Sequence, residues 1–278
     1  MLVALVLCSA LLHALWNALL RTEPDKDRGL VAAVSVATVL AACVAAARWA
    51  FAGDLPFASG ASALWACAAG LFEWMYFAAL ARALDRGPLG PVYTLSRGGA
   101  IVAVWPLSAV VFGEAITGVA AGGSAIVLVG LVLAGARGGD RRELGLDAIA
   151  WALACAAAIA GYHLAYKAAL GAGGSPSAVF AVALALASAI NAARLRGVAS
   201  YARVRLPRVI AMGVICGGSF LILLEALARG GTGFVLTLRN TSVLFATGLA
   251  AMIGDRPRGM QIAGAALVAS GAALMAWG

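Results

Sequence analysis

Five ionisable side chains lie inside apolar runs that offer them no evident water: Glu73, Arg97, Lys167, Arg239 and, nearer the end of its run, Glu225. Placing such a group at mid-membrane costs roughly 2.5–3.5 kcal/mol on insertion scales. Residues carried at that cost rarely face lipid, so they are expected to point into a helix bundle. There they act either as structural ion pairs or as substrate ligands and gates. Lys167 and Glu225 are also placed to snorkel to an interface. Two carboxylates against three cations describe a paired network or a weakly cationic cavity.

A second set of residues recurs. His13, Trp16 and Asn17 fall at i, i+3 and i+4, on one face of a helix. His163, Tyr166 and Lys167 repeat that face. One intramembrane histidine ordinarily satisfies a helix–helix contact; a polar-aromatic stripe used twice points toward binding. Proton coupling through either histidine is a further option, since imidazole titrates near neutrality. Around them lie Glu73, Trp74 and Tyr76 in one run, Tyr93 and Arg97 at i, i+4 in the next, and Arg239 with Asn240 later. Together these residues would line a pocket with aromatic walls, two guanidinium groups and one or two carboxylates. Such a mixture suits a small amphiphilic zwitterion such as an amino acid. Its carboxylate would meet arginine, its ammonium Glu73, and its side chain the rings. The plainer alternative is that the rings only fill bundle space. Pro106, after Trp105, removes a backbone bond and is a candidate hinge.

The elements that must position these groups follow from composition. Of 278 residues, 63% are apolar and 12% charged, and the mean hydropathy is +0.97. Soluble domains carry roughly 45–50% apolar and about 25% charged residues. Too little polar surface remains to cover a water-facing globule, which excludes a soluble enzyme, a nucleic-acid binder or a disordered chain. Breaks in hydropathy give ten segments: 2–20, 29–50, 62–82, 91–112, 117–136, 147–170, 177–193, 208–228, 233–253 and 259–277. Each has the length of a transmembrane α-helix. Turn chemistry separates them, as at Gly53-Asp-Leu-Pro56 and Gly173-Gly-Ser-Pro176. The first run lacks a basic leader and a small-residue cleavage site, so it reads as a span and not a removed signal peptide.

The net charge of +8 reads as an orientation signal. Fifteen of the 20 basic residues fall in alternate loops, and Arg48 and Arg229 alone on the other side. The positive-inside rule then puts the basic face in the cytoplasm and both termini outside it. The remaining three are Arg97, Lys167 and Arg239.

The two halves also resemble each other. Beyond the histidine stripes, Ala83-Leu-Asp-Arg-Gly-Pro-Leu-Gly90 matches Ala226-Leu-Ala-Arg-Gly-Gly-Thr-Gly233, Thr94-Leu95 matches Thr237-Leu238, and Phe112-Gly-Glu114 answers Ile253-Gly-Asp255. The expected architecture is therefore an all-α membrane protein of ten transmembrane helices in two five-helix repeats, 1–138 and 146–278. Five is odd, so the second repeat is inverted, a transporter arrangement with its site near the midplane.

This plan, the Gly113-Glu114 step after the fourth span, the Ala-Leu-x-Arg-Gly run before it and the Gly264…Gly271 spacing in the tenth resemble the drug/metabolite transporter superfamily, EamA type, across essentially the whole chain. The chain departs in carrying Arg97 where many relatives have proline, and in its both-termini-outside orientation. The resemblance implies a carrier working by alternating access that exports amino acids or similar small metabolites across a bacterial inner membrane. Uptake of a small organic anion such as a phosphonate is the second reading. An intramembrane lipid-handling protein or enzyme is the third.

No phosphate-binding loop, H-E-x-x-H or G-x-S-x-G motif occurs, and the five cysteines form no C-x-x-C pair. No cofactor, metal or nucleic acid is expected. The expected partners are a small-molecule substrate and the lipid bilayer, with a monomer as the working unit.

Overall fold

Without water to receive them, backbone N–H and C=O groups in a membrane must be satisfied within the chain, and a run of about 20 apolar residues achieves this as an α-helix. The structure is a computed structural model describing residues 1–21, 23, 25–87, 89–135, 145–194, 205–252 and 259–277. The described residues form eleven helices: α1 (Leu2–Arg21), α2 (Lys26–Ala52), α3 (Gly60–Arg86), α4 (Leu89–Phe112), α5 (Gly118–Gly135), α6 (Leu146–Gly171), α7 (Pro176–Arg194), α8 (Leu206–Arg229), α9 (Thr232–Arg239), α10 (Ser242–Met252) and α11 (Gly259–Trp277). Nine of them, α1 to α8 and α11, are long and apolar enough to cross a membrane. Phe51, Val110 and Trp277 are 92%, 84% and 92% exposed, as side chains directed toward lipid would be. This is the build of a multi-pass membrane protein.

The segment read as a ninth continuous span is instead two short helices. α9 has 8 residues and α10 has 11, and neither crosses a bilayer alone. The cause is local. The Asn240 amide donates to the Leu236 carbonyl at 2.9 Å and the Thr241 hydroxyl to Leu238 at 2.8 Å. The backbone N–H groups of Asn240 and Thr241 turn back to Thr237 and Leu238, three residues earlier. Polar side chains thus compete with the helix ladder and tighten it into a 3₁₀-like turn.

The chain forms two compact units, each drawing on both halves of the sequence; α3 and α6 contribute to both. The first comprises residues 2–74 and 165–229. In it α1 runs antiparallel to α8, and the buried Ser9 and Ser219 hydroxyls each donate to the other's carbonyl, at 2.7 and 2.9 Å. α8 lies along α2 because Gly213 and Gly217 admit the backbone and side chains of Ala33, Val36 and Ala37.

The second unit comprises Met1, 75–164 and 230–278. Its closest contact is between α5 and α11, antiparallel and reciprocal. A Cβ on Gly130 would lie 2.7 Å from the Gly264 carbonyl oxygen, and one on Gly264 would lie 2.6 Å from that of Gly130; Gly123 and Gly271 repeat the arrangement. Lipid gives no hydrophobic drive for helix association, so this backbone-to-backbone approach supplies dispersion contact instead. α4 packs on α5 and on α6, where Thr94 donates to Leu131 at 3.0 Å and Ser96 to Ala152 at 3.3 Å.

Candidate functional site

In the first unit Glu73 is almost fully buried, and the fully buried Tyr166 hydroxyl donates to its Oε1 at 2.7 Å. This bond fixes the direction of the carboxyl group. Lys167 directs its ammonium to the Leu227 carbonyl at 2.9 Å, in the last turn of α8, where the helix dipole favours a cation. Glu225 is held by Arg48 and Arg229, each at 2.5 Å, and Arg48 also reaches Asp54 at 2.8 Å. Glu225 therefore joins an ion-pair network at the ends of α2 and α8. Trp74, on the turn carrying Glu73, is half-buried.

The span-one stripe lies in the same unit. His13 and Trp16 are buried, while Asn17 is exposed and donates to the His13 carbonyl at 2.6 Å. The Trp16 indole donates to His13 Nδ1 at 3.1 Å. Indole is only a donor, so Nδ1 is the acceptor and a neutral His13 carries its proton on Nε2. Phe220 meets the His13 ring edge-on at 6.1 Å and stacks on Phe180 at 5.2 Å.

In the second unit the charges concentrate around His163. Arg97 and Arg239 are 8% and 2% exposed, and both charges act on the fully buried His163 ring. Arg97 also acts on Cys155. His163 Nδ1 lies 2.8 Å from the Ile159 carbonyl, which can only accept, so Nδ1 bears the proton and Nε2 is an acceptor. Nε2 and the buried Asn240 Oδ1 have no hydrogen-bond partner among the described residues. Tyr162 stacks on His163 at 4.2 Å, and Tyr76 lies 6.1 Å from Tyr162. The two histidines that the repeat aligns thus hold opposite tautomers in different settings. The Tyr93 side chain lies outside the described residues, as do the Ile253-Gly-Asp255 step and the basic residues of the loop 136–144.

Two features near α9 were not singled out from the sequence. The Trp105 indole donates to Thr237 Oγ1 at 3.1 Å, and its ring face lies against Gly233, where a Cβ would come within 2.5 Å. Glu114, in the turn opened by the left-handed Gly113 (φ 66°), accepts the Thr232 N–H on both oxygens, at 2.8 and 2.6 Å, and the Thr232 hydroxyl at 2.8 Å. It caps α9 from another part of the chain. The Gly113-Glu114 step and Thr232-Gly233 were visible as pieces of the repeat, but their pairing was not. Pro106 lies within α4, exposed, beside the Trp105 that is tied to α9. Among the described residues no three His, Cys, Asp or Glu side chains gather as a metal site would require.

No family model and no curated protein matches the chain. Among solved structures 29 chains match. One crystal structure of a protein is similar over 98% of this chain and 95% of its own, with a TM-score of 0.76 and 19% sequence identity. At that identity the likeness is one of fold.

Proposed function

We propose that this protein is a secondary transporter of the drug/metabolite type, moving small amphiphilic metabolites by alternating access and exporting amino acids across a bacterial inner membrane. The observation that carries this reading is the break in the ninth span at Asn240–Thr241, which places the buried Arg239 at the end of a half-helix in the unit that also holds the buried Arg97 and His163. Discontinuous helices that present polar groups at membrane depth characterise transporter binding sites. In this reading Arg97 and Arg239 receive the substrate's carboxylate, while His163 Nε2 and Asn240 Oδ1 accept from its donor groups. Tyr76 and Tyr162 offer faces to its apolar part.

The inverted repeat, ten crossings and both termini outside the cytoplasm belong to the same proposal. The antiparallel α5–α11 contact supports the repeat, because the two helices are repeat counterparts and meet through matched glycines. A monomer working without cofactor or metal is part of the reading.

The test is uptake of labelled amino acids by proteoliposomes. Arg97→Ala and Arg239→Ala are expected to abolish transport while insertion and thermal stability persist. Normal transport by both variants would overturn the site. Uptake of a small organic anion by the two buried guanidinium groups of Arg97 and Arg239 is the second reading. Glu73→Gln separates the readings, since it impairs zwitterion transport more than anion transport only in the first.

A further inference from the structure

At one end of the second unit the last turn of α3 meets the second turn of α6. The Arg82 guanidinium carbon lies 4.6 Å from the centre of the Trp151 ring and that of Arg86 lies 5.9 Å from it. One indole thus carries two cations. Both arginines are exposed. Arg86 uses one donor on the Arg82 carbonyl, at 3.1 Å. Among the described residues the Arg82 side chain makes no hydrogen bond or ion pair, and neither does Asp85 in the same turn. Like charges four residues apart on a helix repel, and neither Asp85 nor Asp147, both exposed nearby in sequence, forms an ion pair with either arginine. Among the described residues Arg82 keeps all its side-chain donors and Arg86 all but one, and a guanidinium fork can grip a phosphate with two bonds.

The surroundings are those of a bilayer surface. Tryptophan prefers the headgroup level. The ends of membrane-spanning helices lie at that level, and α3 ends at Arg86. We infer that Arg82, Arg86 and Trp151 form a binding site for the phosphodiester headgroup of an anionic phospholipid. The inference rests on the membrane reading and is independent of transport.

The test measures lipid adducts by native mass spectrometry and the thermal shift of the detergent-solubilised protein with phosphatidylglycerol, phosphatidylcholine or inorganic phosphate. Phosphatidylglycerol is expected to bind and stabilise, and the other two are not. Losing the hydrogen bonds that one of these guanidinium groups gives the phosphodiester costs about a factor of five in affinity, so Arg82→Gln or Arg86→Gln weakens binding about fivefold and the double variant roughly 25-fold. The exposed Arg205, changed to Gln, serves as the control and retains wild-type binding. Equal stabilisation by phosphatidylcholine, an equal effect of inorganic phosphate, a loss with Arg205→Gln as large as with Arg82→Gln, or undiminished binding by both single variants would each overturn the site. The single variants keep the test decisive should the double variant fail to fold.

Discussion

Glu114→Ala tests whether the first half of the broken span is held from outside itself. α9 has 8 residues, and an isolated helix shorter than about 12–15 residues is marginal even with good helix formers. Its first turn is closed by Glu114, which accepts the Thr232 N–H and hydroxyl. Hydrogen bonds to a charged group contribute about 1.5–3 kcal/mol each. Half-exposure lowers that figure, and the loss of an N-cap measured elsewhere costs typically about 1 kcal/mol. A carboxylate at a helix N-terminus adds about 0.3–1 kcal/mol. The sum for this site is about 2 kcal/mol of local stability. At about 1.4 kcal/mol per factor of ten, amide hydrogens of α9 should exchange about 30-fold faster in Glu114→Ala. Glu114→Gln keeps an acceptor without the charge and should accelerate exchange only about fivefold. The assay is hydrogen exchange with mass spectrometry in micelles, following peptides across 232–239 against peptides from α1 and α8. Exchange in α9 within twofold of wild type in Glu114→Ala would refute the reasoning.

Other perturbations address other parts of the structure. Gly130→Val would drive its Cβ to 2.7 Å from both the Gly264 carbonyl oxygen and the Val268 backbone nitrogen; backbone cannot yield as a side chain does, so a loss of about 3 kcal/mol is expected in denaturant unfolding. Unchanged stability would contradict the close α5–α11 contact. Tyr166→Phe removes the buried donor to Glu73 Oε1 and should cost about 1–3 kcal/mol, with Glu73→Gln,Tyr166→Phe costing less than the two singles added. Additive effects would show that the pair is not coupled. A phosphatase fused after Gly278 should be active outside the cytoplasm; a stable but inactive fusion would reverse the orientation.

Much of the fold is legible in the residues. Eight predicted spans correspond to α1–α8 within a few residues, and the tenth to α11, because apolar runs of this length have one good way to satisfy their backbone in lipid. The broken ninth span had a signal as well: Arg239-Asn240-Thr241-Ser242 is a polar run in an apolar segment, and its Asn and Thr side chains were able to take helix carbonyls. Hydropathy counts the polarity of such a run and misses its hydrogen-bonding reach. At the site, sequence picked out the buried Glu73, Arg97 and Arg239 from their implausibility in lipid. It treated the stripes around His13 and His163 as equivalent, and the structure gives them different partners.

The sequence by itself determined a helical membrane chain, the limits of most of its spans and the few charged groups that must have buried company. These follow from composition and periodicity, which act locally. Tertiary structure decided the company: Tyr166 on Glu73, Glu114 on Thr232 across 118 positions, Trp105 on Thr237, and the two guanidinium groups that act on His163. Those pairings depend on which helices approach and at what register. That is set by small residues and close packing between segments far apart in the chain, which local pattern does not encode.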